Sequence, residues 1–165
     1  MRTPEPLTQD ASDFLATLLW IAYSPDRPET KHIQNWTVHE FHSEFVAAVN
    51  RFCRGFREYL EALPDPLPED WESYLVRSFG GSVFLTLSGH GCGFWDEYSD
   101  PERTLGDRLA DALHTYAGSR HQFEELEHDL RKYSGKIHLA YRTAAARREQ
   151  LAGAFRTATP PPPAP

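Results

Sequence analysis

Apolar residues first recur at helical spacing over residues 10–23, where Ala11, Phe14, Leu15, Leu18, Leu19 and Ala22 fall on one face. Thr8 or Asp10 is placed to cap this helix, and Ser24-Pro25 ends it, because the residue before a proline is driven out of the helical region. A polar loop over 25–35 follows. The strongest periodicity runs over 38–63, where Val38, Phe41, Phe45, Val49, Phe52, Phe56, Tyr59 and Leu63 step by three or four residues and predict a long amphipathic helix. Thr37 with Glu40 matches a capping box at its start, and Pro64, Pro66 and Pro68 stop it. An aromatic stripe at this spacing predicts core; a seam between two copies of the chain, in a homodimer or an oligomeric scaffold, is the alternative.

Residues 69–78 read as a short helix carrying Trp71, Tyr74 and Leu75, closed by Gly80-Gly81. The character then turns β-branched and aromatic over 82–87, passes through Ser88-Gly89-His90-Gly91-Cys92-Gly93 and resumes at Phe94-Trp95-Asp96, which predicts a strand, a glycine-rich turn and a second strand. Gly89, Gly91 and Gly93 permit positive φ or a close approach of backbone to another group, and both are costly for other residues. Asp96, Glu97, Asp100 and Glu102 make an acidic loop, and Leu105, Leu109, Ala112, Leu113 and Tyr116 mark a further helix closed by Gly118. Residues 122–133 suit a helix, with an edge strand over 123–127 as the alternative. Ser134-Gly135 reads as a turn, Ile137, Leu139 and Tyr141 as a half-buried strand, and the alanine- and arginine-rich stretch 143–156 as a terminal helix. The expected fold is therefore α+β and mostly helical, with a small antiparallel sheet built on the glycine-turn hairpin. One domain is expected over 1–158, comprising a helical region at 8–79, the hairpin and its helix at 82–118 and a terminal strand and helix at 134–156. The proline-rich tail, 159–165, stays outside that domain.

Composition narrows this picture in three ways. No apolar run approaches a membrane span and no secretory signal opens the chain, so a cytoplasmic protein without membrane association is expected. Two cysteines, Cys53 and Cys92, cannot form a disulfide framework. The net charge of −7 conceals an asymmetry: residues 1–130 hold 23 acidic and 10 basic side chains, a balance of −13, whereas 131–165 hold 1 and 7, a balance of +6. A basic end docked on its own acidic body follows from this, and nucleic acid is expected to bind only through that end.

Candidate chemistry concentrates at the glycine turn. His90 and Cys92 lack the partners of a zinc site, the glycines do not match a phosphate loop, and no cofactor or metal is called for. His39 with His42 and His121 with His128 read as solvated pairs. The string Val83-Phe84-Leu85-Thr86-Leu87-Ser88-Gly89-His90-Gly91 is similar to the strand and SGHG turn that carry the catalytic histidine of caspase-like and metacaspase-like cysteine peptidases. That resemblance implies a cysteine on a later strand in a D-x-C-x-x-G setting. No such motif follows, Cys53 lies earlier on the helix stripe, and Cys92 is two residues from His90 along a tight turn.

A longer stretch, LTLSGHGCGFWDE followed by LGDRLADAL, resembles a motif of small uncharacterised proteins encoded by bacteriophages and prophages. The matching positions are Phe84, Leu85, Thr86, Gly89, His90, Gly91, Gly93, Phe94, Trp95, Asp96, Leu105, Gly106 and Leu109, with Ser134-Gly135-Lys136-Ile137-His138-Leu139 resembling the family's last strand. Leu87-Ser88 stand where the motif has Arg-Asn, and 122–133 departs from the family's short hairpin. The resemblance implies a phage or mobile-element accessory protein with an α+β fold and supplies no reaction. The sequence thus favours a non-enzymatic role in binding another protein, a host or defence factor, with His90, Cys92, Trp95 and Asp96 as candidate binding residues and Gly89, Gly91 and Gly93 as the structural turn. A small hydrolase centred on His90, assisted by Cys92 or Asp96, is the alternative.

Overall fold

The computed structural model describes residues 5–90, 93–96, 104–120, 122, 123, 126, 128–139 and 144–157. Five helices carry these residues: α1 (Gln9–Ala22), α2 (Ser43–Glu61), α3 (Phe79–Ser88), α4 (Thr104–Ala117) and α5 (Ala144–Ala154). The antiparallel pair β1 (Leu130–Tyr133) and β2 (Lys136–Leu139) completes the described architecture, with 3-10 segments at Pro28–Ile33, Val38–Glu40, Trp71–Tyr74 and Phe94–Asp96. The chain is mostly helical with a small antiparallel sheet, the α+β class its pattern predicts. Gly91, Cys92, Glu97, Asp100, Glu102, His121, Tyr141 and the proline tail lie outside the described residues, and of Asp96 only the backbone is described.

Thr8 caps α1 as its position predicts, its hydroxyl accepting the Ala11 N–H at 3.3 Å. The capping box of Thr37 and Glu40 is also present, yet it opens a single 3-10 turn instead of the long helix. The chain stays extended at Phe41, which bridges to Ile137 of β2, while the His42 N–H donates to the Ile137 carbonyl at 3.0 Å. α2 begins only after this bridge, with His42 as its N-cap accepting the Glu44 N–H on Nδ1 at 3.3 Å. His39 and His42 therefore precede the helix they are expected to share, and the His42 ring lies 4.7 Å from that of His138. The aromatic stripe of α2 is core: Phe45, Phe52 and Phe56 are buried, and Phe52 packs edge-on against Tyr116 and Phe123.

The largest departure from the sequence pattern concerns 82–87. This stretch is the body of α3, and the sheet lies instead at 130–139, closed by a two-residue turn in which Ser134 has φ 50° and Gly135 φ 76°. Positive φ at both central positions is the geometry whose twist matches antiparallel strands. All ten residues of α3 are buried, so no polar face marks it as helical, and an apolar run this short reads equally as strand. The 69–78 helix is likewise reduced to one 3-10 turn. Gly80-Gly81 do not close it; they form the first turn of α3, where a Cβ at Gly80 would lie 1.8 Å from the Asp10 carbonyl oxygen. Gly80 thus lets α3 cross α1 nearly backbone to backbone. Residues 122, 123, 126, 128 and 129 lie in turns, with the strand starting only at Leu130.

A polar clamp holds the same corner. The Arg57 guanidinium forks onto the Asp10 carboxylate, Nε to Oδ2 at 2.6 Å and Nη2 to Oδ1 at 2.9 Å, while Nη1 reaches Glu72 at 2.8 Å. Its Cζ lies 4.0 Å above the centroid of the Phe79 ring. One side chain of α2 thereby ties the first turn of α1, the 3-10 turn at 71–74 and the first residue of α3. The basic C-terminal part folds back on the acidic body: Lys132 pairs with Glu40, Arg148 with Glu44 at 3.8 Å, and Ile137, Leu139 and Leu151 enter the core.

Candidate functional site

The end of α3 positions every described residue of the glycine motif. Gly89 terminates the helix with φ 75°, a left-handed conformation that costs a residue with a Cβ about 1–2 kcal/mol. Four residues later the chain returns against α3. The Phe94 N–H donates to the buried Thr86 hydroxyl at 3.0 Å, and a Cβ on Gly93 would lie 2.9 Å from the Thr86 Cα. Gly89 and Gly93 thus realise the two uses expected of these glycines, positive φ and close approach. Phe94 is fully buried between Phe56 and Phe79, which anchors the turn to the core.

Around this anchor the candidate residues diverge onto two cavities. Trp95 is half-buried, with its ring 6.2 Å from that of His114 on α4. Together with Thr86, Gly89, Asp107, Ala110, Asp111 and Arg120 these rings line a cavity of 490 Å³. Asp107 and Asp111 are exposed and stand one turn apart on α4. His90 is also exposed but faces the other way, into a groove of 700 Å³ shared with the end of α1, the Pro28–Ile33 segment and the residues leading into β1.

The groove brings together groups that are far apart in the sequence. His32 and His128 line it with His90, as do Arg27, Glu29 and Arg131, and Trp20 stands at its edge with 67% of its surface exposed. His128 is exposed and lies in the turn before β1, so it is not on a helix. Cys53 is sealed in the core, and burial pushes its thiol well above the ordinary range, which keeps it in the inert protonated form. Burial likewise raises the Tyr116 phenol to about 12. Among the described residues no group of three or more His, Cys, Asp or Glu side chains is arranged to hold a metal ion, and no helix is long and apolar enough to cross a membrane.

The two cavities offer different chemistry. The Trp95 side presents an aromatic face and two carboxylates, which suits a cationic side chain. The His90 side presents guanidinium and imidazole groups beside an indole. No protein-family model, curated protein or solved structure matches the chain.

Proposed function

We propose that the protein is a phage or mobile-element accessory protein that acts without catalysis, by binding a basic segment of another protein, a host or defence factor, in the Trp95 cavity. The observation that carries this reading is the Trp95 indole, half-exposed, with the Asp107 and Asp111 carboxylates lining the same cavity. An indole over which an arginine or lysine stacks contributes about 0.5–2 kcal/mol, and tryptophans in such settings commonly dominate binding. The balance of −13 over residues 1–130 adds long-range attraction for a cationic partner. Arg120 also lines the cavity and opposes a cation on its own side, so the segment is expected to enter along α4. Gly93, Phe94 and Thr86 hold the indole in place before any partner arrives, which lowers the entropy lost on binding.

An arginine-rich peptide titrated against the protein tests this directly. Saturable binding that weakens about tenfold in Trp95→Ala, and weakens again in Asp107→Asn with Asp111→Asn, is the expected result. Equal affinity for parent and Trp95→Ala, or equal affinity for a glutamate-rich peptide of the same length, would contradict it. His90→Ala should leave the peptide affinity unchanged, because His90 faces the other groove.

A further inference from the structure

We propose that the groove between the end of α1, the Pro28–Ile33 segment, the His90 end of α3 and the entry to β1 is a second binding site, for a ligand that joins a phosphate to a planar ring: a nucleotide, free or at the end of a strand. This assignment is independent of the Trp95 reading. Its first support is charge. Arg27 and Arg131 are 104 positions apart in the chain yet line one groove; His32 lies five residues after Arg27, His128 three residues before Arg131, and His90 joins them from the end of α3. Glu29 is the carboxylate among the described lining residues. On a chain of net charge −7 this is a local reversal of sign.

The second support is what these arginines lack. Arg54, Arg57, Arg108 and Arg148 each reach a carboxylate. Among the described residues Arg27 and Arg131 reach none. Arg131 uses Nη1 on the carbonyls of His128 and Leu130, at 3.0 and 2.7 Å, which pins one end of its fork at the groove. A planar guanidinium so held matches two phosphate oxygens, and the His32 imidazole lining the same groove adds an N–H donor.

The third support is Trp20. It occupies the last turns of α1 with two-thirds of its surface exposed, although Leu18, Leu19 and Ala22 around it are buried. A large exposed indole at the edge of a concave basic groove is a stacking platform for a planar ring. The wall beside it is built to hold its shape. The Thr30 hydroxyl bridges the Ser24 carbonyl at 2.7 Å and the Ser24 N–H at 3.0 Å, and the His32 ring packs edge-on against Trp36 at 5.2 Å. The 700 Å³ volume falls inside the range usual for small-molecule sites, about 300–1,000 Å³.

Tryptophan fluorescence of the full chain titrated with ATP, adenosine, inorganic phosphate and a 5′-phosphorylated dinucleotide tests the site. ATP or the dinucleotide should quench emission saturably with a dissociation constant below about 1 mM, with adenosine and phosphate each about tenfold weaker or more. Whichever of the two phosphorylated probes binds tighter identifies the source, free nucleotide or strand end. Trp20→Ala should abolish the quench, and isothermal titration should show affinity falling about tenfold in that variant and in Arg27→Gln with Arg131→Gln. These positions are exposed, so the variants should melt as the parent does. Absence of binding by both phosphorylated probes at about 1 mM, or affinity indifferent to Trp20→Ala and to the arginine pair, would overturn the assignment.

Discussion

Gly80→Ala tests the crossing of α1 and α3. The new Cβ would lie 1.8 Å from the Asp10 carbonyl oxygen, 2.7 Å from the carbonyl carbon and 3.0 Å from the Phe14 nitrogen, all of them backbone atoms with no rotamer to escape into. An unstrained carbon–oxygen contact is about 3.3 Å, so the helices must part by roughly 1.5 Å at this point. Phe14 and Phe84, now 5.2 Å apart between centroids, would separate with them, and Asp10 would shift under the Arg57 fork. Overpacking of this kind costs about 1–3 kcal/mol or somewhat more, a loosened charged hydrogen bond adds about 1 kcal/mol, and the helix preference of alanine returns up to about 1 kcal/mol. A net loss of about 1–4 kcal/mol should lower Tm by about 2–15 °C in a chain of this length. Gly153→Ala supplies the control, because nothing lies within 4 Å of a Cβ there. The same exchange in that exposed part of α5 should stabilise by about 0.5 kcal/mol. Urea and thermal unfolding followed by circular dichroism measure both. A Gly80→Ala protein that matches the parent, or gains stability as Gly153→Ala does, refutes the close crossing.

Phe52→Ala opens a cavity among Tyr116, Phe123 and Phe155 and should cost about 3–5 kcal/mol in chemical denaturation; an unchanged midpoint would remove Phe52 from the core. Arg57→Met keeps the side-chain stem but loses the Asp10 fork, with an expected loss of about 1.5–3 kcal/mol that collapses in an Asp10→Asn background; additive losses would show the two are not coupled. Because burial holds the Tyr116 phenol up to about 12 from its ordinary 10.0, the unfolded chain releases this proton first, so the contribution is complete below pH 10.0 and is lost as pH rises towards 12. Alkaline absorbance should show a late-titrating phenol that is missing from Tyr116→Phe. Lys132 and the capping box hold the Glu40 carboxyl below its ordinary value, so its contribution is present above pH 4.5 and fades as pH falls through the lowered value; Lys132→Gln should shift the acid end of the stability profile upward.

Much of the fold was legible because α1, α2 and α4 each bury one face and leave another wet, and that contrast survives in the order of residues. The Ser134-Gly135 turn and the helix after 143 were legible for local reasons too, backbone conformation in one and alanine content in the other. α3 was not. A helix buried on every side carries no periodicity, and Val83, Phe84 and Thr86 favour strands locally, so tertiary packing overrode propensity. The long helix began later than its capping box because Phe41 and His42 found a partner in Ile137, nearly a hundred residues away. The candidate sites follow the same division. Trp95 stood out as part of a motif, but the meeting of Trp20, His32, His90 and Arg131 exists only after folding and leaves no spacing to find. The Arg57 clamp was equally silent, since its partners precede and follow it by unrelated distances.

The complete enclosure of α3 carries a consequence for the chain before it folds and whenever it opens. Ser82-Val83-Phe84-Leu85-Thr86-Leu87 has no charge and no proline, and its local preference is extended. Six such residues are the composition from which intermolecular cross-β stacking starts. Native packing alone keeps this segment helical, so any lesion that frees it, Gly80→Ala included, converts lost stability into self-association. Destabilised variants are therefore expected to precipitate rather than accumulate as soluble unfolded chains, and a charged residue at Thr86, although it would ruin the native core, should suppress that precipitation in the unfolded protein.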